Sequence, residues 1–94
     1  MILDRHIHKA KLGCYDDLVA LGRAECETWG RPYRIYTPIF GPRNTVVFES
    51  QFEDLAKREE FWAKWFARPE SPAFIVKFDA LHENETSIEL CRVL

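Results

Sequence analysis

A Gly41-Pro42-Arg43-Asn44 turn stands between two runs rich in β-branched and aromatic residues, Tyr33 to Phe40 and Thr45 to Phe52. Two such runs joined by a short turn predict a β-hairpin. A segment of helical spacing lies on either side of it. Upstream, Tyr15, Leu18, Val19, Gly22, Cys26 and Trp29 form one stripe at intervals of three and four residues. Asp16 and Asp17 sit in its first turn, where the helix dipole favours carboxylates, and Gly30 and Pro32 stop it. Gly22 lies inside the stripe. A glycine there costs roughly 1 kcal/mol against alanine, which points to close packing of this helix on a sheet. Downstream, the period from Glu53 is helical again. Leu55, Ala56, Glu59, Trp62, Ala63 and Phe66 form its stripe, widened by Phe61 and Trp65, and Arg68 to Pro72 end it.

The two ends of the chain complete the order. Ile2 to Lys9 alternates as a strand, with Leu3 and Ile7 on one face and Asp4, His6 and His8 on the other. Ala73 to Glu83 fits a further short helix or, over Phe74 to Phe78, an extended segment. Asn84-Glu85-Thr86 reads as a turn before a closing strand, Ser87 to Leu94. The order β-α-β-β-α-(α)-β predicts an α+β, ferredoxin-like βαββαβ domain. Its four-stranded antiparallel sheet would carry both long helices on one face. Pro38 cannot donate to a ladder and places its strand at an edge or a bulge. If the helices cover Leu3, Ile7, Val46, Phe48 and Phe52, the other face carries Asp4, His6, His8, Val47, Glu49 and Gln51. That mixture is too polar for a core, yet apolar enough for two copies to close on each other around a cavity.

Composition narrows the function classes. At 94 residues the chain is one domain with a modest core, which association would assist. It is 47% hydrophobic with seven Phe, three Trp and three Tyr, which excludes disorder. Thirteen basic residues against fifteen acidic ones, with no basic run among the aromatics, leave no footprint for nucleic acid or an anionic membrane. The charged start, Asp4-Arg5-His6, does not read as a signal peptide, and no apolar stretch approaches a membrane span, so the cytoplasm is the expected compartment. Cys14, Cys26 and Cys91 are widely spaced and read as reduced thiols. No zinc spacing, phosphate loop, nucleotide fingerprint or Ser–His–Asp pattern is present, and no bound cofactor is expected.

Three stretches resemble the NIPSNAP-type domains of the dimeric α/β barrel superfamily. Met1 to Gly13 is similar to their first strand and loop. Phe40-Gly41-Pro42-Arg43-Asn44-Thr45-Val46-Val47 is similar to their Gly-Pro-x-Asn hairpin. Phe52-Glu53-Asp54-Leu55-Ala56-Lys57-Arg58 is similar to their Leu-Ala-x-Arg helix start. His6 replaces the more usual Arg, His8 an aromatic residue and Leu12 a proline. The resemblance implies a homodimeric barrel with a cavity for a small apolar or aromatic molecule. Relatives of this fold act on such molecules as oxygenases, isomerases or lyases without a bound cofactor. A non-catalytic ligand-binding or interaction module is the alternative, and a haem-handling or antibiotic-biosynthesis-monooxygenase-like barrel a further one.

The sharpest local signal is Asp4, His6 and His8, spaced to share one sheet face at roughly 7 Å intervals. Glu49 of the neighbouring strand is expected beside them. Two imidazoles and a carboxylate can share a proton, or serve as polar residues at an interface; an HxH pair without a third ligand at set spacing does not specify a metal. In an enzyme, His6 would be the acid–base group, Glu49 or Asp4 its orienter and Tyr36 a hydrogen-bond donor. Arg34 shares a face with Tyr36 and is suited to an anionic or carbonyl-bearing ligand, or to solvent. Trp62, within an unusually aromatic helix, is either core or one wall of an apolar pocket. Lys57 to Glu60 reads as a solvated helix face.

Overall fold

A computed structural model describes residues 1–94. The elements are β1 (Ile2–Ala10), α1 (Tyr15–Glu27), β2 (Tyr33–Tyr36), β3 (Thr45–Phe52), α2 (Leu55–Ala67), α3 (Ser71–Asp79) and β4 (His82–Arg92). The strands form one antiparallel sheet in the order β2-β3-β1-β4, the ferredoxin-like arrangement. All three helices lie on one face. α1 begins after the left-handed Gly13, and Gly30 is also left-handed, just beyond its end. Its stripe packs as the periodicity predicts: Leu18 and Cys26 join Ala10, Val46 and Phe48 in the core, with Tyr15, Val19 and Trp29 against them. A Cβ at Gly22 would overlap the Phe48 ring, so the glycine allows the helix to approach β3.

Register overturns the expected faces. Asp4 pairs with Ser50, His6 with Phe48 and His8 with Val46, so the polar residues of β1 share the helix-covered face with the core residues of β3. Leu3, Arg5 and Ile7 pair with Gln51, Glu49 and Val47 on the open face. The expectation that Leu3 and Ile7 face the helices is therefore wrong, as is the one that sets Glu49 beside His6. Alternation shows only which side chains go together. The buried carboxylate of Asp4 is accommodated because α2 brings donors to it, and a buried polar group needs partners rather than solvent.

Other boundaries differ as well. β2 ends at Tyr36, not Phe40. Thr37 Oγ1 donates to the Thr45 carbonyl at 2.7 Å, Pro38 has no N–H to continue the ladder, and Ile39 and Phe40 are exposed. The third helix is real but ends at Asp79, and Asn84-Glu85-Thr86 lies inside β4 rather than in a turn. β4 is an edge strand: Thr86 pairs with His8 of β1 and its hydroxyl lies 3.3 Å from His8 Nδ1, while Asn84 and Glu85 fall at a register shift and are exposed. In α2 the inward positions are Arg58, Phe61, Trp62 and Trp65, followed by the half-buried Arg68 just past its end, whereas Leu55, Ala56, Glu59, Ala63 and Phe66 are exposed. No helix is long and apolar enough to cross a membrane.

Candidate functional site

A cavity of about 470 Å³ opens between the three helices and the sheet. Its walls are mainly aromatic, with Trp29, Phe48, Trp62, Trp65, Phe74 and Phe78 among them. His6 and His8 line it from β1.

Asp4 organises the polar end. Its side chain is fully buried. Oδ2 accepts from Arg58 Nε at 3.0 Å and from Trp62 Nε1 at 2.9 Å. These donors stand four residues apart on one face of α2, whose start is set by Asp54 accepting from the Lys57 N–H at 2.8 Å. Oδ1 lies 2.9 Å from His6 Nε2, and neither atom has another hydrogen-bond partner. The contact is an ion-pair approach rather than a well-aligned hydrogen bond. Burial pushes the Asp4 carboxyl up, but His6, Trp62 and Arg58 together outweigh it and hold the group below the usual carboxylate range. Trp62 also sets its ring 5.2 Å from that of His6. With Nε2 turned to Asp4, Nδ1 is the imidazole nitrogen left free for a ligand.

His8 has a different environment. Its ring sits 4.5 Å from His82 and contacts Phe48 and Phe78 edge-on. His82 Nε2 approaches Asp79 Oδ1 at 3.1 Å. Burial, reinforced by His82 and His6, lowers the His8 pKa to about 3, so this imidazole is neutral at pH 7. It packs in the cavity wall and is unsuited to holding a proton.

The remaining predicted residues are on the other side of the sheet. Arg5 Nε donates to Tyr36 Oη at 2.7 Å, Tyr36 Oη donates to Glu49 Oε1 at 3.0 Å, and Arg5 also pairs with Glu89. Burial and the bond to Glu49 raise the Tyr36 pKa. Arg34 pairs in register with Glu49 on that open face. Glu49, Tyr36 and Arg34 therefore form a second group, separated from His6 by the thickness of the sheet. Two residues that the sequence reading passed over belong to the cavity side. Arg58, read as part of a solvated face, is the partner of Asp4. Glu25 Oε1 accepts from Trp29, Trp65 and Arg68, tying α1 to the end of α2. The spacing Arg58, Phe61, Trp62, Trp65 carries the missed signal, an aromatic stripe that starts from an arginine on one helix face, with Arg68 just past its end.

The sheet order and the helix-covered cavity place this architecture among solved structures. The chain superposes on a NIPSNAP domain protein from Burkholderia xenovorans with a TM-score of 0.85, at 16% identity over 100% of this chain and 95% of the other. The chain shares the fold of that protein. A NIPSNAP family protein from Agrobacterium tumefaciens gives a TM-score of 0.82 at 19% identity, over 97% of this chain and 90% of that one. An antibiotic biosynthesis monooxygenase gives 0.71 at 14% identity, over 100% and 99%. No protein-family profile and no curated protein matches the sequence. The ferredoxin-like protomer fold that the three resembling stretches imply is thus present, while the fold leaves the chemistry of the cavity to its own residues.

Proposed function

We propose that the cavity binds a small apolar or aromatic molecule and that His6, oriented by Asp4, acts on it as an acid–base group without a bound cofactor. The observation that carries this reading is the buried Asp4 carboxylate 2.9 Å from His6 Nε2, at the wall of an aromatic cavity. A carboxylate on one imidazole nitrogen favours a proton there and leaves the lone pair of the other for the ligand. The imidazolium formed on proton transfer is then stabilised by the same carboxylate. Isomerases, lyases and cofactor-free oxygenases acting on phenolic or enolisable substrates share that first step. Arg58 and Trp62 keep Asp4 ionised and in place; they are positioning residues.

The working unit we propose is a homodimer, located in the cytoplasm, whose open sheet faces cover each other. The half-buried Leu3 and Ile7 supply apolar contact there, and the Arg5–Tyr36–Glu49 network supplies polar complementarity. Glu49, Tyr36 and Arg34 then belong to the subunit interface rather than to acid–base chemistry.

Turnover of a panel of aromatic and polyketide-like compounds tests the catalytic reading. His6→Ala should keep the fold and ligand affinity but lower turnover by about 10²–10⁴-fold, the usual worth of a general base. Unchanged turnover in a folded His6→Ala protein removes His6 from the mechanism. Saturable binding with no conversion of any bound compound would make the protein a ligand-binding module instead.

A further inference from the structure

The charges around the cavity are unequal and already committed. Three carboxylates line it, Glu25, Glu59 and Asp79, against one guanidinium, Arg58. Arg58 is balanced by two carboxylates: Nε donates to Asp4 at 3.0 Å and Nη1 to Glu59 at 2.8 Å. The next cation, Arg68, stands behind the wall, where it pairs with Glu25 and approaches Glu70 at 3.5 Å. No lysine lines the cavity. An anionic ligand would meet only a guanidinium already balanced by Asp4 and Glu59, in a cavity whose lining carries more carboxylates than cations.

The wall also has groups that suit the opposite charge. Trp29, Trp65 and Arg68 all converge on Oε1 of Glu25, and none of them takes Oε2. The aromatic rings present negative faces, which attract an ammonium and stack on flat neutral rings. We infer that the cavity selects uncharged or amine-bearing aromatic ligands and rejects carboxylates and phosphates. This rests on the cavity being the ligand site and adds the charge class that it admits. Haem, with two propionates, falls on the rejected side, as do acyl groups carried on phosphorylated carriers if the carrier must enter.

Three near-isosteric naphthalenes separate the possibilities in the full-length protein: 2-(1-naphthyl)ethylamine, 2-(1-naphthyl)ethanol and 1-naphthylacetate. Calorimetric titration at pH 7.5 gives the affinities, and shifts of the tryptophan indole N–H signals in NMR identify the site. The amine and the alcohol should bind and perturb the indoles, with the carboxylate at least about tenfold weaker, as expected when like charges are brought together. Glu59→Gln, on the exposed rim, should narrow the gap between amine and carboxylate without disturbing the fold, and Glu25→Gln should narrow it further. Binding of the carboxylate as tightly as the amine overturns the charge rule and leaves the cavity reading intact. Failure of all three to bind overturns both.

Discussion

Among the individual residues, the two histidines of β1 show how environment separates identical side chains. His6 meets a carboxylate; His8 meets two phenylalanines, another imidazole and the neutral hydroxyl of Thr86. The consequence for His8 is a pH effect on stability with a definite sign. In the unfolded chain its pKa is near 6.5, and in the folded chain about 3. Between these values the unfolded state binds the extra proton, so stability falls as the pH falls, by about 1.4 kcal/mol per unit from this group. The Asp4 carboxyl, held below 3.8, contributes stability that is lost as the pH falls from 3.8 towards its lowered folded-state value, so most of the His8 effect precedes it. Urea denaturation from pH 7 to 4 should show a declining free energy in the native protein and a flatter profile in His8→Phe, where no proton is taken up on unfolding. Parallel profiles would mean that His8 is not the group responsible.

At the level of elements, the contact between α1 and β3 is the tightest constraint. Gly22 weakens the helix by roughly 1 kcal/mol relative to alanine, and its retention is explained by the Phe48 ring that occupies the place of a side chain. Gly22→Ala improves the helix locally but forces overpacking that costs about 1–3 kcal/mol. The expected net result is a destabilisation of about 1 kcal/mol and a lower melting temperature, read by circular dichroism; shortening the opposing side chain in Gly22→Ala/Phe48→Leu should relieve part of the overlap. A rise in melting temperature for Gly22→Ala alone would show that α1 stands off the sheet. The element types were legible because period and punctuation are local: the glycine in the stripe signalled close packing on the sheet and Pro38 signalled an edge strand, although Pro38 itself lies beyond β2 and the connection to β3 takes eight residues rather than a four-residue turn. Boundaries were less so. The end of β2 depends on Thr37 bonding to Thr45, and the extent of β4 on pairing with β1, neither of which lies in the local sequence.

For the molecule as a whole, the sheet with helices on one side leaves Leu3, Ile7 and Val47 on the other, beside the Arg5–Tyr36–Glu49 network. A second copy is the proposed cover. Sedimentation equilibrium should give the mass of two chains for the native protein, and Ile7→Lys should shift it towards one chain without loss of helix or sheet signal, because an unpaired charge in an apolar contact opposes association. A native chain that remains single at high concentration would exclude the dimer. The fold was readable in linear order, since alternation, helical spacing and turn residues are properties of neighbours along the chain. So was the grouping of Asp4 with His6 and His8, because a period of two sends alternate side chains the same way. Which face that group occupies was not readable. It follows from the register of β1 against β3 and from the delivery of Arg58 and Trp62 by α2, more than fifty residues away in the chain. A buried carboxylate and a solvated one look alike in sequence; they differ in the donors that folding brings within hydrogen-bonding distance.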